Sequence, residues 1–569
     1  IFPAMALLLL AYATRPVRDV YLLYTGFSFV SFYNVAYVLF HFDAQNYNAQ
    51  DKAMFIISAM AILAFGYMIY VTVKYFSHPV SEEEEQKIEQ SGTSWTAKAA
   101  FTKKEAEKKS VIRPSAVLAK MTKADYIAMG VITLIYAVVA FVHLGNMSAP
   151  ETEYSFVQQG AVVADMGEDK AIGQIHDFLG YQNNTKYYVE YSSDNVNWTP
   201  LYGTDNPMDA GGVFCWNNID INVTARYFRI SPAADNTADS MMELVFTDTS
   251  GAVVVPVNAQ DYSTLFDEQD EYEGCSTNMN GTYFDEIYHA RTAYEMIHKL
   301  YCYENTHPPL GKFIMSIGIR IFGMCPFGWR FMGTLFGVLM LPVIYNFGKK
   351  FFKETWISAV TTVLFAFDFM HFVQTRIATI DVFVTLFIML SYYFMYCYSR
   401  YSFYDTDLKK TFIPLGLCGI MMGFGWAAKW TGIYSSAGLA IIFFALMIQR
   451  FREYIYASKV PEEKSGDIAH SHILGCFHKN LIKTLLFCCV FFVVIPALIY
   501  ILSYIPFNDG TDRNLITKVI EAQKTMYNYH SNLDATHPYS SKWWQWPIMY
   551  RPMWYYSSVV SDTVREGIS

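Results

Sequence analysis

At 569 residues, 53% of them hydrophobic and 17% aromatic against only 16% charged, the chain is too apolar for an ordinary soluble protein. Its charges bunch between apolar runs, the pattern of a polytopic membrane protein with soluble mass attached. The net charge of -9 is spread over loops and a soluble insert, which points away from a nucleic-acid partner. Nine cysteines follow no metal or disulfide spacing, although Cys215 and Cys275 could pair outside the membrane. Starting at Ile1 without a Met and ending at a polar Ser569, the sequence reads as a fragment of a longer chain.

In chain order, apolar length predicts spans at Ile1–Tyr12, Val20–Phe40 and Ala53–Val73, an N-terminal group over 1–76. A charged linker at 77–123, containing SEEEEQKIEQ and KKEAEKKS, reads as a solvated cytoplasmic tether. The next span, Tyr126–Leu144, fills segment 124–148. From 150 to 260 the period changes to two. KYYVEYSSDNVNWTPLY, ARYFRISPA and MMELVFTDTSGAVVVPV alternate apolar and polar residues, predicting an inserted β-sandwich of short strands.

Segment 261–323 is an outer loop in which Ile287, Ala290, Tyr294, Ile297 and Tyr301 fall at helical spacing, predicting a helix lying flat at the interface. Pro308–Phe322 is short and carries Lys312 and Arg320, so it predicts a second, amphipathic surface helix. Spans follow over 324–504 at Trp329–Phe347, Ile357–Phe372, Val382–Tyr398, Phe412–Ala428, Ile433–Ile448 and Leu481–Tyr504, and 505–569 is a further outer segment. Basic loops at 15–19, 349–354, 400–410 and 449–454 alternate as cytoplasmic. That orientation puts Asp285, Glu286, His307, Arg330, the stretch 371–376 and Lys429 on the outer face.

Adjacent carboxylates at Asp285 and Glu286 cannot flank a sugar as a glycosidase pair does. Neighbours at a helix start diverge by about 100°, so the two take different jobs: one acts as a base while the other orients an acceptor or an arginine. Helix capping is the simpler explanation for either. Arg330, Lys312, Arg376 and Lys429 supply positive charge for a phosphate, with snorkelling to the interface as the alternative for the last three. His307, in His-Pro-Pro, either binds substrate or locks a turn. His371 and Gln374 precede Arg376 and are candidates to line a donor pocket. His537 stands near Trp543, Trp544 and Trp546, which suit a sugar platform or an interfacial belt. No His/Asp cluster has metal spacing, so neither metal nor cofactor is expected.

Four blocks carry a family resemblance: FDEIYHARTAYE with THPPLGK and PFGWR, FDFMHFVQTRIATIDVF, GFGWAAKWTGIY, and HPYSSKWWQWPIMYRPMWYY. Together they closely resemble the protein O-mannosyltransferases. The resemblance implies a polytopic α-helical membrane protein of the C-type glycosyltransferase fold. It also implies an inverting transferase that moves mannose from polyprenyl phosphate to Ser or Thr of exported proteins, with its site on the extracytoplasmic face of the cell membrane. The family's Asp-Glu motif falls on Asp285 and Glu286, and its essential arginine on Arg330.

Tyr187–Trp198 and Ala225–Ile230 resemble the discoidin-like (coagulation factor 5/8 C-type) modules, implying a jelly-roll insert in which the Trp and the Arg-Tyr pair are mainly core and strand residues, with a glycan site as the alternative. The insert replaces the β-trefoil of eukaryotic members and points to a bacterial branch. The family's last spans are expected beyond Ser569, and Ile1–Tyr12 looks similar to the end of another C-type transferase. Two rivals differ in class: a transferase acting on a glycolipid or cell-wall polymer, and a sugar-binding membrane receptor or transporter. Transporters tend to carry inverted repeats and broken midplane helices, which this sequence does not show.

Overall fold

The computed structural model describes residues 112–182, 185–201, 208–210, 212–232, 240–461 and 468–533. It also describes isolated positions between 22 and 70 and, near the C-terminus, 553, 555–561 and 564–568. The three N-terminal spans, most of the linker and His537 with its tryptophans lie outside the described residues.

Among the described residues, six helices are long and apolar enough to cross a membrane: α1 (Lys123–Phe141) and five more after the insert. Thr122 opens α1 with a reciprocal capping box to Asp125, which also meets Lys349 at 3.1 Å. The linker's last part, 112–116, is no free tether. Arg113 N donates to Glu453, Ser115 N to Asp405, and Ala116 N to Arg400 O, tying the linker to the 400–405 loop and to the helix that carries Glu453.

The insert is a six-stranded antiparallel sheet built from β2 (Val162–Phe178), β3 (Thr185–Ser192), β4 (Thr199–Pro200), β5 (Met208–Ala210), β6 (Trp216–Pro232) and β8 (Glu243–Asp248). Its order is β4-β3-β6-β2-β8, with β5 on β3, and a ribbon of β1 (Tyr154–Ser155) with β7 (Ser240–Met241) stands apart. This sheet-rich region is compatible with an inserted β-sandwich. Ile172, Ile175, Tyr187, Val189, Phe228 and Phe246 are fully buried in its core, as period-two alternation requires. Trp198 stacks under the Arg229 guanidinium at 4.4 Å, and Arg229 in turn pairs with Glu190. No disulfide joins Cys215 to Cys275.

Two helices fill the outer loop, α2 (Glu286–His298) and α3 (Leu310–Phe322). Tyr301 falls beyond the end of α2 and is exposed, and the rest of the stripe is covered by protein. Ala290 is buried, and Ile287, Tyr294 and Ile297 pack into a cluster with Phe214 and Trp216 of the insert and with Trp329. In that cluster Tyr294 stacks on Tyr181 at 5.7 Å and meets Phe214 edge-on at 5.1 Å. Tyr181, Phe214 and Trp216 of the insert supply this apolar cover. In α3 it is Phe313, Ile317 and Ile321 that point outward, while Lys312 is fully buried.

The remaining helices are α4 (Pro326–Phe352), α5 (Thr355–Ala366), α6 (Phe369–Arg376), α7 (Asp381–Ser399), α8 (Leu408–Ala428), α9 (Thr431–Lys459), α10 (His470–Ser503) and α11 (Leu515–Ser531). Ile357–Phe372 is not one continuous helix. α5 and α6 meet at 56°, because Asp368 accepts from His371 N and starts a new helix. α10 carries a π-turn at Val490–Val494 just before Pro496, whose ring cannot continue the regular ladder. A hairpin of β9 (Tyr556–Ser561) and β10 (Val564–Ile568) closes the described chain.

Candidate active site

One end each of α2, α4, α6, α7 and α8 converge around the Asp-Glu pair. Phe284, in the left-handed region at φ 52°, forces the turn that starts α2. Asp285 takes the N-cap position but makes no side-chain capping bond, and its carboxylate has no hydrogen-bond partner among the described residues. Capping therefore does not account for it.

Glu286 is its opposite, fully buried and engaged at both oxygens. Oε1 accepts from Arg330 Nε at 2.7 Å and Ala378 N at 2.9 Å. Oε2 accepts from Arg330 Nη2 at 2.8 Å, Trp329 Nε1 at 3.2 Å and Tyr283 N at 3.3 Å. The rest of the Arg330 fork holds backbone carbonyls: Nη1 donates to Leu144 O and Asn278 O, and Nη2 to Gly281 O. All five N–H groups are taken, and the side chain is 1% exposed. Arg330 thus has no donor left for a phosphate. It ties α1, the 278–281 loop and α2 together.

Lys312 is likewise engaged internally, donating to the Glu304 carboxylate, to Glu304 O at 2.9 Å and to His307 O at 3.1 Å. Two of the four expected cations keep free capacity. Lys429 bridges both Asp381 oxygens at 2.8 and 2.9 Å, with the Asp381 side chain 47% exposed. Arg376 donates through Nη2 to Val142 O and His143 O, and its Nε has no partner.

Burial pushes the Asp285 carboxyl above its ordinary range; Asp381 and Glu304 push the same way, while Lys429 and His307 oppose them. Those four groups are therefore its electrostatic neighbours. Gln374 donates to the Tyr555 hydroxyl, and the Tyr555 ring meets Phe284 edge-on at 4.9 Å, which brings the C-terminal segment over the same turn. His371 is not part of this cluster. Its ring packs on Phe365 at 4.3 Å and Tyr136 at 5.2 Å in the helix interior.

Asp381, Glu304 and Tyr555 were not singled out in the sequence. The signal for Asp381 was present: an ionisable residue heading an apolar run, at the same depth as Lys429. Among the described residues, three carboxylates lie within 4.8 Å of one another at Glu243, Asp267 and Glu268, in and just after the insert.

Residues 274–507 match the family model described as dolichyl-phosphate-mannose-protein mannosyltransferase. Residues 515–564 match that of the C-terminal four-TMM region of protein-O-mannosyltransferase. Polyprenol-phosphate-mannose–protein mannosyltransferases of Mycolicibacterium smegmatis and Mycobacterium tuberculosis are 26% and 24% identical over 326 and 338 residues. Each match covers 50% of this chain, and 60% and 59% of those relatives' own lengths. A solved Saccharomyces cerevisiae protein O-mannosyltransferase complex bound to the sugar donor overlaps 39% of this chain and 29% of its own, at 17% identity and a TM-score of 0.32.

Proposed function

Because the chain belongs to the protein O-mannosyltransferase family, we propose that it transfers mannose from a polyprenyl phosphate carrier to Ser or Thr hydroxyls of exported proteins. We place the reaction on the extracytoplasmic face of the membrane. The observation that carries this proposal is the contrast between neighbours: Glu286 is fully engaged in structure, whereas the Asp285 carboxylate is free to take a proton.

Asp285 acts as general base. The acceptor oxygen bonds to the anomeric carbon, the carbon–phosphate-oxygen bond breaks, and the hydroxyl proton passes to Asp285. The electron pair leaves on the lipid phosphate, which needs charge stabilisation rather than an acid. Lys429 and Arg376 supply it, with Gln374 and His307 lining the donor side; Arg330 and Lys312 hold the loop instead. These cations provide the positive charge that a metal would otherwise bring, so the reaction is read as metal-independent. A glycan stays the proposed ligand of the insert, on its discoidin-like resemblance.

The experiment is direct. Membranes containing the full-length protein are incubated with radiolabelled polyprenyl-phosphate mannose and a Ser/Thr peptide. Label should appear in the peptide as mannose whose anomeric configuration is opposite to the donor's. Label that stays in lipid or enters only a glycolipid would overturn the proposal.

A further inference from the structure

The mechanism above makes no use of Glu304, yet few side chains of the outer loop are more heavily engaged. Its carboxylate, 6% exposed, accepts from Thr306 N at 2.8 Å, from the Thr306 hydroxyl, from His307 Nδ1 at 3.0 Å and from Lys312 Nζ. Locking the Pro308–Pro309 turn needs no such device, because two prolines already restrict it. Burying an ion pair is costly in desolvation, so a bare structural role explains it poorly.

Chemistry assigns the protons. Burial pushes Glu304 up, but the Lys312 charge and the His307 hydrogen bond prevail and hold it well below the usual carboxylate range. An ionised carboxylate only accepts, so in the neutral His307 ring Nδ1 carries the hydrogen and Nε2 keeps its lone pair. No described group bonds to Nε2. The His307 side chain is 23% exposed, which gives it contact with water. Its ring meets His289 edge-on at 6.0 Å and His530 at 5.6 Å. His289 lies one helical turn from Asp285, its backbone N–H donating to the Asp285 backbone carbonyl at 3.1 Å. Buried, it is pushed down to about 3 and stays neutral.

We propose that His307 is the proton carrier of this site and Glu304 its positioning residue. Glu304 fixes the Nδ1–H tautomer, so that Nε2 receives the proton Asp285 has taken from the acceptor and passes it to water. The balance is simple: one proton leaves the hydroxyl, moves from Asp285 to His307, and ends in solvent, restoring both groups. The proposal rests on Asp285 being the base.

The test uses the full-length protein in lipid nanodiscs with polyprenyl-phosphate mannose and a Ser/Thr peptide. His307→Gly should lose roughly 100-fold in kcat, the lower end of a general acid–base contribution, and added imidazole should restore several-fold of it. Glu304→Gln should lose roughly 10-fold in kcat, as removal of a histidine-orienting partner does, with donor KM changed less than about twofold. Adding Glu304→Gln to His307→Gly should cost no further turnover, since Glu304 acts only through the ring. If the unpaired Lys312 unfolds the single variant, Glu304→Gln with Lys312→Met removes both charges and should show the same kcat loss.

Wild-type turnover in a folded Glu304 variant, additive losses in the double variant, or a His307→Gly defect confined to donor KM and untouched by imidazole would each overturn the proposal. Full activity in Asp285→Asn would instead remove the base reading beneath it.

Discussion

At Asp285, the raised proton affinity makes a prediction in two directions. A carboxyl whose folded-state pKa is raised stabilises the fold fully below its unfolded-state value, about 3.9. That stability is lost as pH rises through the folded-state value. At neutral pH the ionised group is therefore held at a cost, and Asp285→Asn should raise the midpoint of thermal unfolding while abolishing transfer. Donor binding should survive, because the amide keeps the shape of the site. A variant that loses stability and keeps activity would return Asp285 to a capping role. Next door the expectation reverses. Glu286→Ala leaves Arg330 charged and unpaired inside the protein, and should destabilise by about 3–5 kcal/mol, the cost of breaking a buried pair. Activity lost there should follow unfolding, measured by thermal melts of the purified variant.

Among the elements, α4 and α6 meet where a side chain is forbidden. A Cβ at Gly337 would lie 2.5–2.8 Å from three side-chain atoms of Thr375, a stiff β-branched residue between Gln374 and Arg376. Gly337→Ala should cost about 1–3 kcal/mol by overpacking, and by displacing α6 should weaken donor binding more than it slows turnover. Titration with the lipid donor checks this. The long spans were legible because about 20 apolar residues have few other uses. The break between α5 and α6 was not, since Asp368 looks like a stray polar residue until its capping bond is seen. The site divided in the same way. The Asp-Glu step and the lining cations stand out as ionisable residues at span ends, but which cation is engaged depends on how the chain folds back, over 44 residues for Arg330 with Glu286 and over a turn of 8 for Lys312 with Glu304. Period and spacing carry no record of such pairs, so Arg330 and Lys312 read as phosphate ligands, while Glu304 and Asp381 went unmarked.

For the whole molecule, orientation is open to a simple test. A cysteine at Asn195, on an exposed turn of the insert, should react with an impermeant thiol reagent in intact cells, and one at Lys353 should not; the opposite pattern would move Asp285 to the cytoplasm. The insert also bears on the fold's integrity. Phe214 is fully buried between the sheet and the α2–α4 corner, packing on Tyr294 and within 6.4 Å of Trp329. Phe214→Ala should cost about 3–5 kcal/mol and depress transfer, although it touches none of the proposed catalytic groups. The same aromatic seam makes sheet and helix a single lever. Strain placed on the sheet would therefore reach the segment that begins at Asp285 through these rings, and thermodynamic reciprocity requires that a shift favoured at one end of the seam be felt at the other.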